Sequence, residues 1–332
     1  MLNWTIEQLR LDLKYTWKLS RNATDFKLNN IITVTDGKAT GKGEAAPNIR
    51  YNETPEGMLE AFERFLKTEP GRIESMDELT ELLAELKLPN ALRFGIESAY
   101  IHWECAKKGK TIYEYLAIEQ PGEIYTSFSL PIMPAADIAG FYKEHNLARF
   151  KRLKLKVNAE QAHDLLQAIT AITGQPLIID ANEGWKDPDQ LLSFLHELKP
   201  YHIDIIEQPM PAGMDDAYAY VKKQSPFTLM ADESVCDHAD FEALKHQFHG
   251  INMKLMKAGG YLNGLRLLNE ARRHNMRTMV GCMIETSLGI ASAMHLCAGV
   301  EFTDLDGFMI VKDEPFGMIE EKEGQLIELQ NE

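Results

Sequence analysis

The 332-residue chain is 45% hydrophobic and carries a formal net charge of −15, which points to two domains, or one barrel with a decoration, around a sizeable core. Neither that charge nor any local run supplies the basic patch that nucleic acid or an anionic membrane would need. Residues 1–7 lack a basic start before an apolar core, no run approaches the ~18 apolar residues of a membrane span, and Cys105, Cys236, Cys282 and Cys297 lie far apart with no Cys-x-x-Cys, so a cytoplasmic protein with buried free thiols is expected.

In chain order, the blocks 5–19 and 29–34 alternate apolar and polar residues, with turn signals at Asp36-Gly37 and Gly41. They predict a small antiparallel sheet. From Thr54 the spacing becomes helical through Met58, Phe62 and Phe65, then over 76–86, then over 91–105, so this part reads as an α+β domain.

From Ile124 strand and helix patterns alternate, with apolar segments near 125–130, 152–157, 177–180, 203–207, 227–232, 250–255, 277–282 and 304–310. Lys156, Asp180, Glu207, Asp232, Lys254, Gly281 and Asp304 follow one another at intervals of 24, 27, 25, 22, 27 and 23 residues. Each interval holds one crossover helix and two short loops. Eight such strands fit a closed parallel barrel, and the glycine fingerprint of a doubly wound sheet is absent. Pro315 and a hairpin pattern over 318–329 stand where an eighth helix would follow, so the C-terminus is expected to return to the N-terminal domain.

In a parallel barrel, residues at the C-terminal strand ends share one mouth. Asp180, Glu207 and Asp232 end three consecutive apolar runs. Singly, each could cap the next helix. Together, with no His or Cys alongside, they read as an all-oxygen triad for a hard cation such as Mg²⁺. In the run Phe150-Lys151-Arg152-Leu153-Lys154-Leu155-Lys156-Val157, Lys154 and Lys156 share one face, about 6.6 Å apart. Their repulsion, roughly 2.5 kcal/mol at an effective dielectric of 20, would lower one of them from ~10.4 toward the range of a base, while nearby carboxylates push back.

Lys254 comes four strands after Lys156 and so stands nearly opposite in an eight-strand ring. A substrate α-carbon between the two amines could lose a proton to one and regain it from the other. That chemistry is racemisation or epimerisation, with Lys154 as a further cation toward the enediolate. Lys257 reads as a supporting or surface residue. Asp304-Leu305-Asp306 places two carboxylates on one face at the eighth strand, and without a counter-charge they imply a cationic ligand such as a substrate ammonium. Gly259-Gly260 reads equally as an anion cradle or a tight turn.

The segments Lys154-Leu155-Lys156, Asp180-Ala181-Asn182-Glu183-Gly184-Trp185, Glu207-Gln208-Pro209, Asp232-Glu233-Ser234 and the run 252–260 resemble the enolase superfamily, muconate-lactonizing-enzyme subgroup, over nearly the whole chain. Asp304-Leu305-Asp306 is similar to the Asp-x-Asp signature of its dipeptide epimerases. The resemblance implies an α/β fold: a (β/α)7β modified TIM barrel, residues 123–311, with an α+β capping domain, residues 1–122, completed by 312–332. It implies Lys156 and Lys254 as acid/bases, Lys154 as enolate stabiliser, and Asp180, Glu207 and Asp232 as ligands of one Mg²⁺ per subunit, with Mn²⁺ as a substitute. Asp304 and Asp306 would bind the α-ammonium of a small-molecule dipeptide substrate. Ser129, Cys282 and Ile284 match substrate-contact positions. Segments 18–26 and 47–51 would close over the substrate, with Arg21 and Arg50 as candidates for its second side chain. A homo-oligomer is expected only by analogy. N-acylamino acid racemase, o-succinylbenzoate synthase and muconate cycloisomerase are the alternatives on the same scaffold, though their substrates lack the ammonium; an inactive metal-dependent binding protein is the remote one.

Overall fold

A computed structural model describes residues 1–20 and 22–329 of the chain. Strands β1 (Asn3–Lys18), β2 (Ala23–Thr35) and β3 (Thr40–Ala45) form an antiparallel sheet in that order. Helices α1 (Pro55–Leu66), α2 (Met76–Leu86), α3 (Asn90–Lys108) and α4 (Ile112–Leu116) follow. Thr54, Ser75 and Thr111 start α1, α2 and α4 with side-chain N-caps, each satisfying a backbone N–H that the first helical turn leaves unpaired.

Gly41 was expected in a turn, but it lies inside β3. A Cβ there would sit 2.1 Å from the Ala99 carbonyl oxygen, and one on Gly43 would sit 2.1 Å from that of Gly95. The glycines let the strand lie directly on the α3 backbone, the close approach that this residue permits.

After the short strand β4 (Ile124–Tyr125) come the eight parallel strands β5 (Phe128–Leu130), β6 (Leu153–Lys156), β7 (Leu177–Asp180), β8 (Ile203–Glu207), β9 (Thr228–Ala231), β10 (Gly250–Lys254), β11 (Arg277–Gly281) and β12 (Phe302–Asp304), paired in sequence. Between them lie α5 (Ile138–Glu144), α6 (Ala162–Thr170), α7 (Pro188–Glu197), α8 (Asp215–Gln224), α9 (Phe241–Gln247), α10 (Leu255–Ala258), α11 (Tyr261–Arg273) and α12 (Ser287–Met294). The strands make a nearly closed barrel. Its seam is sewn by Ser127 N–H to the Thr303 carbonyl at 3.1 Å, Thr303 Oγ1 to the Tyr125 carbonyl at 2.6 Å and Leu305 N–H to Thr126 Oγ1 at 2.8 Å. Ile178, Ile205, Met230, Met279 and Phe302 form an apolar cluster of their own, drawn from β7, β8, β9, β11 and β12. Since side chains of neighbouring strands in one register row point the same way, this layer is read as the barrel's inner packing.

The eighth strand ends at Asp304, earlier than the apolar run 304–310 predicts, because residues 307–310 form a turn. Gly307 allows it, since a Cβ there would lie 2.1 Å from the Met283 carbonyl oxygen. The chain then pairs with the N-terminal sheet: Lys14 N–H donates to the Ile310 carbonyl at 2.9 Å and Lys312 N–H to that of Asp12 at 2.8 Å. This contact falls where the β1–β2 register shifts, between Asp12 and Trp17. The expected hairpin is present as β13 (Ile319–Lys322) and β14 (Gln325–Glu328), and its partner is β4.

Helix α12 is buried along its whole length. Its N-terminus is bound by Glu44 of β3, which accepts hydrogen bonds from Thr286 N–H (3.0 Å), Thr286 Oγ1 (2.6 Å), Gly289 N–H (3.1 Å) and Asn29 Nδ2 (2.8 Å). A carboxylate at a helix N-terminus is favoured by the unpaired N–H groups there. Glu285 is 2% exposed beside it and accepts from Met283 N–H at 2.7 Å. Burial and the Glu44 charge push the Glu285 carboxyl up to about 8.

Candidate active site

The parallel pairing sets two register rows at the barrel mouth. Lys156, Asp180 and Glu207 are neighbours across β6, β7 and β8, and Lys254, Gly281 and Asp304 across β10, β11 and β12. Asp232 follows the last residue of β9. Lys154, Lys156, Lys254, Asp180, Glu207, Asp232, Asp304 and Asp306 are all buried. A cavity of about 350 Å³ spans the mouth, walled on the barrel side by residues that include the three lysines, Ser129, Asp232, Cys282, Ile284, Asp304 and Asp306. On the cap side it meets Leu19 and Thr24 of one segment expected to close over a substrate and Ile49, Arg50 and Tyr51 of the other, with Trp17 and Lys27 flanking the first. Arg21 lies outside the described residues.

The charges are paired tightly. Lys154 Nζ lies 2.7 Å from Asp304 Oδ2, 2.8 Å from Glu207 Oε2 and 3.0 Å from Asp180 Oδ2. Lys156 Nζ lies 2.6 Å from Asp180 Oδ2 and 3.3 Å from Asn182 Oδ1, with the Trp17 ring centroid 5.9 Å away. Lys254 Nζ donates to Asp232 Oδ2 at 2.9 Å and Lys257 Nζ to Asp232 Oδ1 at 2.6 Å. Lys257, 2% exposed, is therefore a buried support of Asp232 rather than a surface residue.

Burial alone would lower lysines, but Asp180 and Asp304 hold Lys154 well above its ordinary range and Asp232 does the same for Lys254. For Lys154 the expected downward push from Lys156 is outweighed, because its ammonium is within 3.0 Å of three carboxylates while the two lysines are about 6.6 Å apart along the strand.

The reading of Asp304 as a carboxylate without counter-charge is also corrected. Besides Lys154, it accepts from Ser127 Oγ at 2.7 Å, and despite burial Lys154 holds it below the carboxylate range. Asp306, just past the strand, accepts from Ser129 N–H at 2.6 Å; burial, and then the Asp304 charge, push it up to about 7. Asp306 is thus the carboxylate that gains from an incoming cation. Cys105 and Cys297 are buried as expected, whereas Cys236 and Cys282 are half-buried, Cys282 because it lines the cavity.

Arg50 also lines the cavity, but its Nε and Nη2 hold Glu183 Oε2 and Oε1 at 2.8 and 2.7 Å. That bidentate pair fastens the cap segment to the loop after β7 and occupies the guanidinium fork expected to face a substrate.

Among the described residues, no group of three His, Cys, Asp or Glu is gathered as around an ion. The donor chemistry nevertheless fits a hard cation. Asp180, Glu207 and Asp232 are at most 2% exposed, Glu207 Oε2 has the Lys154 ammonium as its one polar neighbour among the described residues, and burial with the charges of Asp180 and Asp232 pushes Glu207 up to about 7 against the opposing pull of Lys154. Oxygen-only donors in a row of like charges match Mg²⁺ better than a softer metal.

Sequence reasoning missed several positioning residues. Asn252 Nδ2 donates to Glu207 Oε1 at 2.9 Å; its place two residues before Lys254 on one strand face was a usable signal. Gln208, at φ +35°, accepts from the N–H groups of Asp232 (2.9 Å) and Ser234 (3.1 Å) and so ties the end of β8 to that of β9. Such a strained non-glycine backbone is found where surrounding contacts over-determine it.

The model of the enolase C-terminal domain-like family matches residues 136–319. The chain belongs to the enolase superfamily. A Pedosphaera parvula superfamily relative named L-Ala-D/L-amino acid epimerase is 35% identical over 325 residues, 94% of this chain and 92% of that one. An Agrobacterium tumefaciens enolase family member with homology to dipeptide epimerases, solved with sodium and L-Ala-L-Glu, superposes with a TM-score of 0.90 at 28% identity, covering 99% and 98% of the two chains. A dipeptide epimerase from Enterococcus faecalis, complexed with Mg and L-Leu-L-Tyr, gives 0.87 at 26% identity, covering 98% and 96%. These likenesses agree with the modified TIM barrel and antiparallel cap seen in this superfamily member.

Proposed function

We propose that the chain is a Mg²⁺-dependent dipeptide epimerase that inverts the α-carbon of the C-terminal residue of an Ala-Xaa dipeptide by two-base 1,1-proton transfer through an enediolate. The observation that carries the reading is the placement of Lys156 and Lys254 on β6 and β10, half a turn apart in an eight-strand order, with both lysines lining one cavity. The superfamily relatives named as epimerases support it. We assign 1–122 with 312–332 to the cap and 123–311 to the barrel.

In this reading one lysine takes the α-proton and the other returns one to the opposite face. Lys154 faces the substrate carboxylate, where negative charge develops. A cation such as Mg²⁺, or Mn²⁺ in its place, would when held by Asp180, Glu207 and Asp232 supply further positive charge at that carboxylate. Lys254 would stand nearer the range of a base if such a cation shared Asp232 with it, because Asp232 is the partner that raises this amine. Asp306, with Asp304, receives the dipeptide ammonium, whose charge relieves their mutual repulsion. Trp17 and the other cap residues cover the mouth, limiting water at the carbanion face.

The test is mass spectrometry of dipeptides incubated with the protein and Mg²⁺ in deuterated water. One deuteron at the α-carbon of the C-terminal residue is expected. Exchange of an N-acylamino acid with none in any dipeptide would assign the chain to the racemase alternative.

A further inference from the structure

The cap side of the cavity carries a cation that nothing above uses. Lys27 of β2 pairs in register with Leu11 and lies two residues from Asn29, on the face that lines the cavity. It is half-buried beside the apolar cluster formed by Leu11, Leu13, Trp17, Ile284, Ile310 and Val311. Among the described residues no hydrogen bond or ion pair reaches its ammonium. The anions of the same cavity are engaged elsewhere: Asp232 by Lys254 and Lys257, Asp304 by Lys154, Asp306 by Ser129, and Glu233 by Asn182. Arg50, also a cap-side cation, is held by Glu183.

We infer that Lys27 sets specificity by pairing with an acidic side chain on the dipeptide's C-terminal residue, so that the substrate class is Ala-Glu or a similarly anionic dipeptide. This rests on the dipeptide reading above. A half-buried ammonium without an anion costs solvation energy that an apolar residue at position 27 would avoid; burial accordingly lowers its proton affinity. In the proposed reaction the α-carboxylate is committed at Lys154 and the ammonium at Asp306. The second anion available to answer Lys27 is therefore on the side chain.

The experiment compares kcat/KM for deuterium exchange of L-Ala-L-Glu with that of its neutral isostere L-Ala-L-Gln, using the full chain with Mg²⁺. Wild type should favour the glutamate dipeptide by about tenfold or more, equivalent to ~1.4 kcal/mol. In Lys27→Gln the ratio should fall toward one, in Lys27→Arg it should persist, and in Lys27→Glu it should invert, with L-Ala-L-Lys now favoured over L-Ala-L-Glu. The wild-type ratio stands without any variant, so a misfolded substitution does not shelter the inference. A wild-type ratio near one overturns it while leaving the epimerase reading intact. A ratio that survives in Lys27→Gln and vanishes in Arg21→Gln overturns it in favour of Arg21. Exchange in no dipeptide at all removes the epimerase reading, and this inference with it.

Discussion

Glu285 should make the protein lose stability as pH rises from about 4.5 through 8, and Glu285→Gln should remove that loss. Its carboxyl is 2% exposed and faces the Glu44 charge, with one backbone N–H and the more distant Lys254 on the other side of the balance. The folded state therefore prefers the acid form: a group whose folded pKa, about 8, exceeds its ordinary 4.5 contributes stability that is complete below about pH 4.5 and is lost as pH rises through 8. At about 1.36 kcal/mol per tenfold change in proton affinity, the full loss is about 5 kcal/mol. Guanidinium unfolding at pH 5, 7 and 9 measures it. Wild type should weaken by several kcal/mol across that series through this group, while the glutamine variant, uncharged throughout, should weaken much less and be the more stable protein at pH 9. Parallel curves for the two proteins would show that Glu285 is not the protonated carboxyl and that Lys254 or solvent compensates its charge.

Lys156→Ala and Lys254→Ala should each stop epimerisation, with α-proton exchange persisting from one stereoisomer only and the other isomer used by each variant; NMR of both diastereomers in deuterated water reads this, and full activity in either variant would remove that lysine from the reaction. Asp306→Asn should raise KM for dipeptides by tenfold or more, from loss of about 1.5–3 kcal/mol in a charge-assisted contact, with Mg²⁺ affinity measured by calorimetry little changed; an unaltered KM would refute the ammonium contact. Chelation should abolish exchange, Mg²⁺ should restore it, and saturating Mg²⁺ should raise the melting temperature because binding favours the folded state; a metal-free protein with full activity would contradict the assignment of Asp180, Glu207 and Asp232. Arg50→Gln should loosen the cap segment from Glu183, with a several-fold rise in KM and a stability change of only about 1 kcal/mol because Arg50 is 35% exposed; an unchanged KM would deny the clamp a role in covering the site.

The barrel was legible because residue intervals and strand ends are local signals. Lys156, Asp180 and Glu207 fall in one register row because parallel pairing aligns strand ends that the sequence marks with charge. The partners of those charges were not legible. Lys154 meets Asp304 across 150 residues and Arg50 meets Glu183 across 133, and whether a lysine's proton affinity rises or falls depends on angstrom-scale distances that strand spacing does not supply. The early end of the eighth strand was hidden because Leu305, Phe308 and Ile310 look like a continuing strand; only the folded backbone reveals that Gly307 passes against Met283. Gln208 was passed over because a neutral amide carries no charge pattern, although it spans two strand ends.

The seam between β5 and β12 carries one further implication. Ser127 and Ser129 bond to Asp304 and Asp306 across the place where the first and last strands meet, so the pair proposed to greet the incoming amine also helps fasten the cylinder shut. Retargeting that end of the pocket by replacing either aspartate with a side chain that cannot accept those hydrogen bonds would loosen a stave of the barrel, and a variant library of such residues should yield more folded proteins when positions 127 and 129 are varied with it. On the cap side Lys27, which no hydrogen bond or ion pair holds among the described residues, carries no such double duty, and this leaves position 27 the freer ground for diversifying substrate choice.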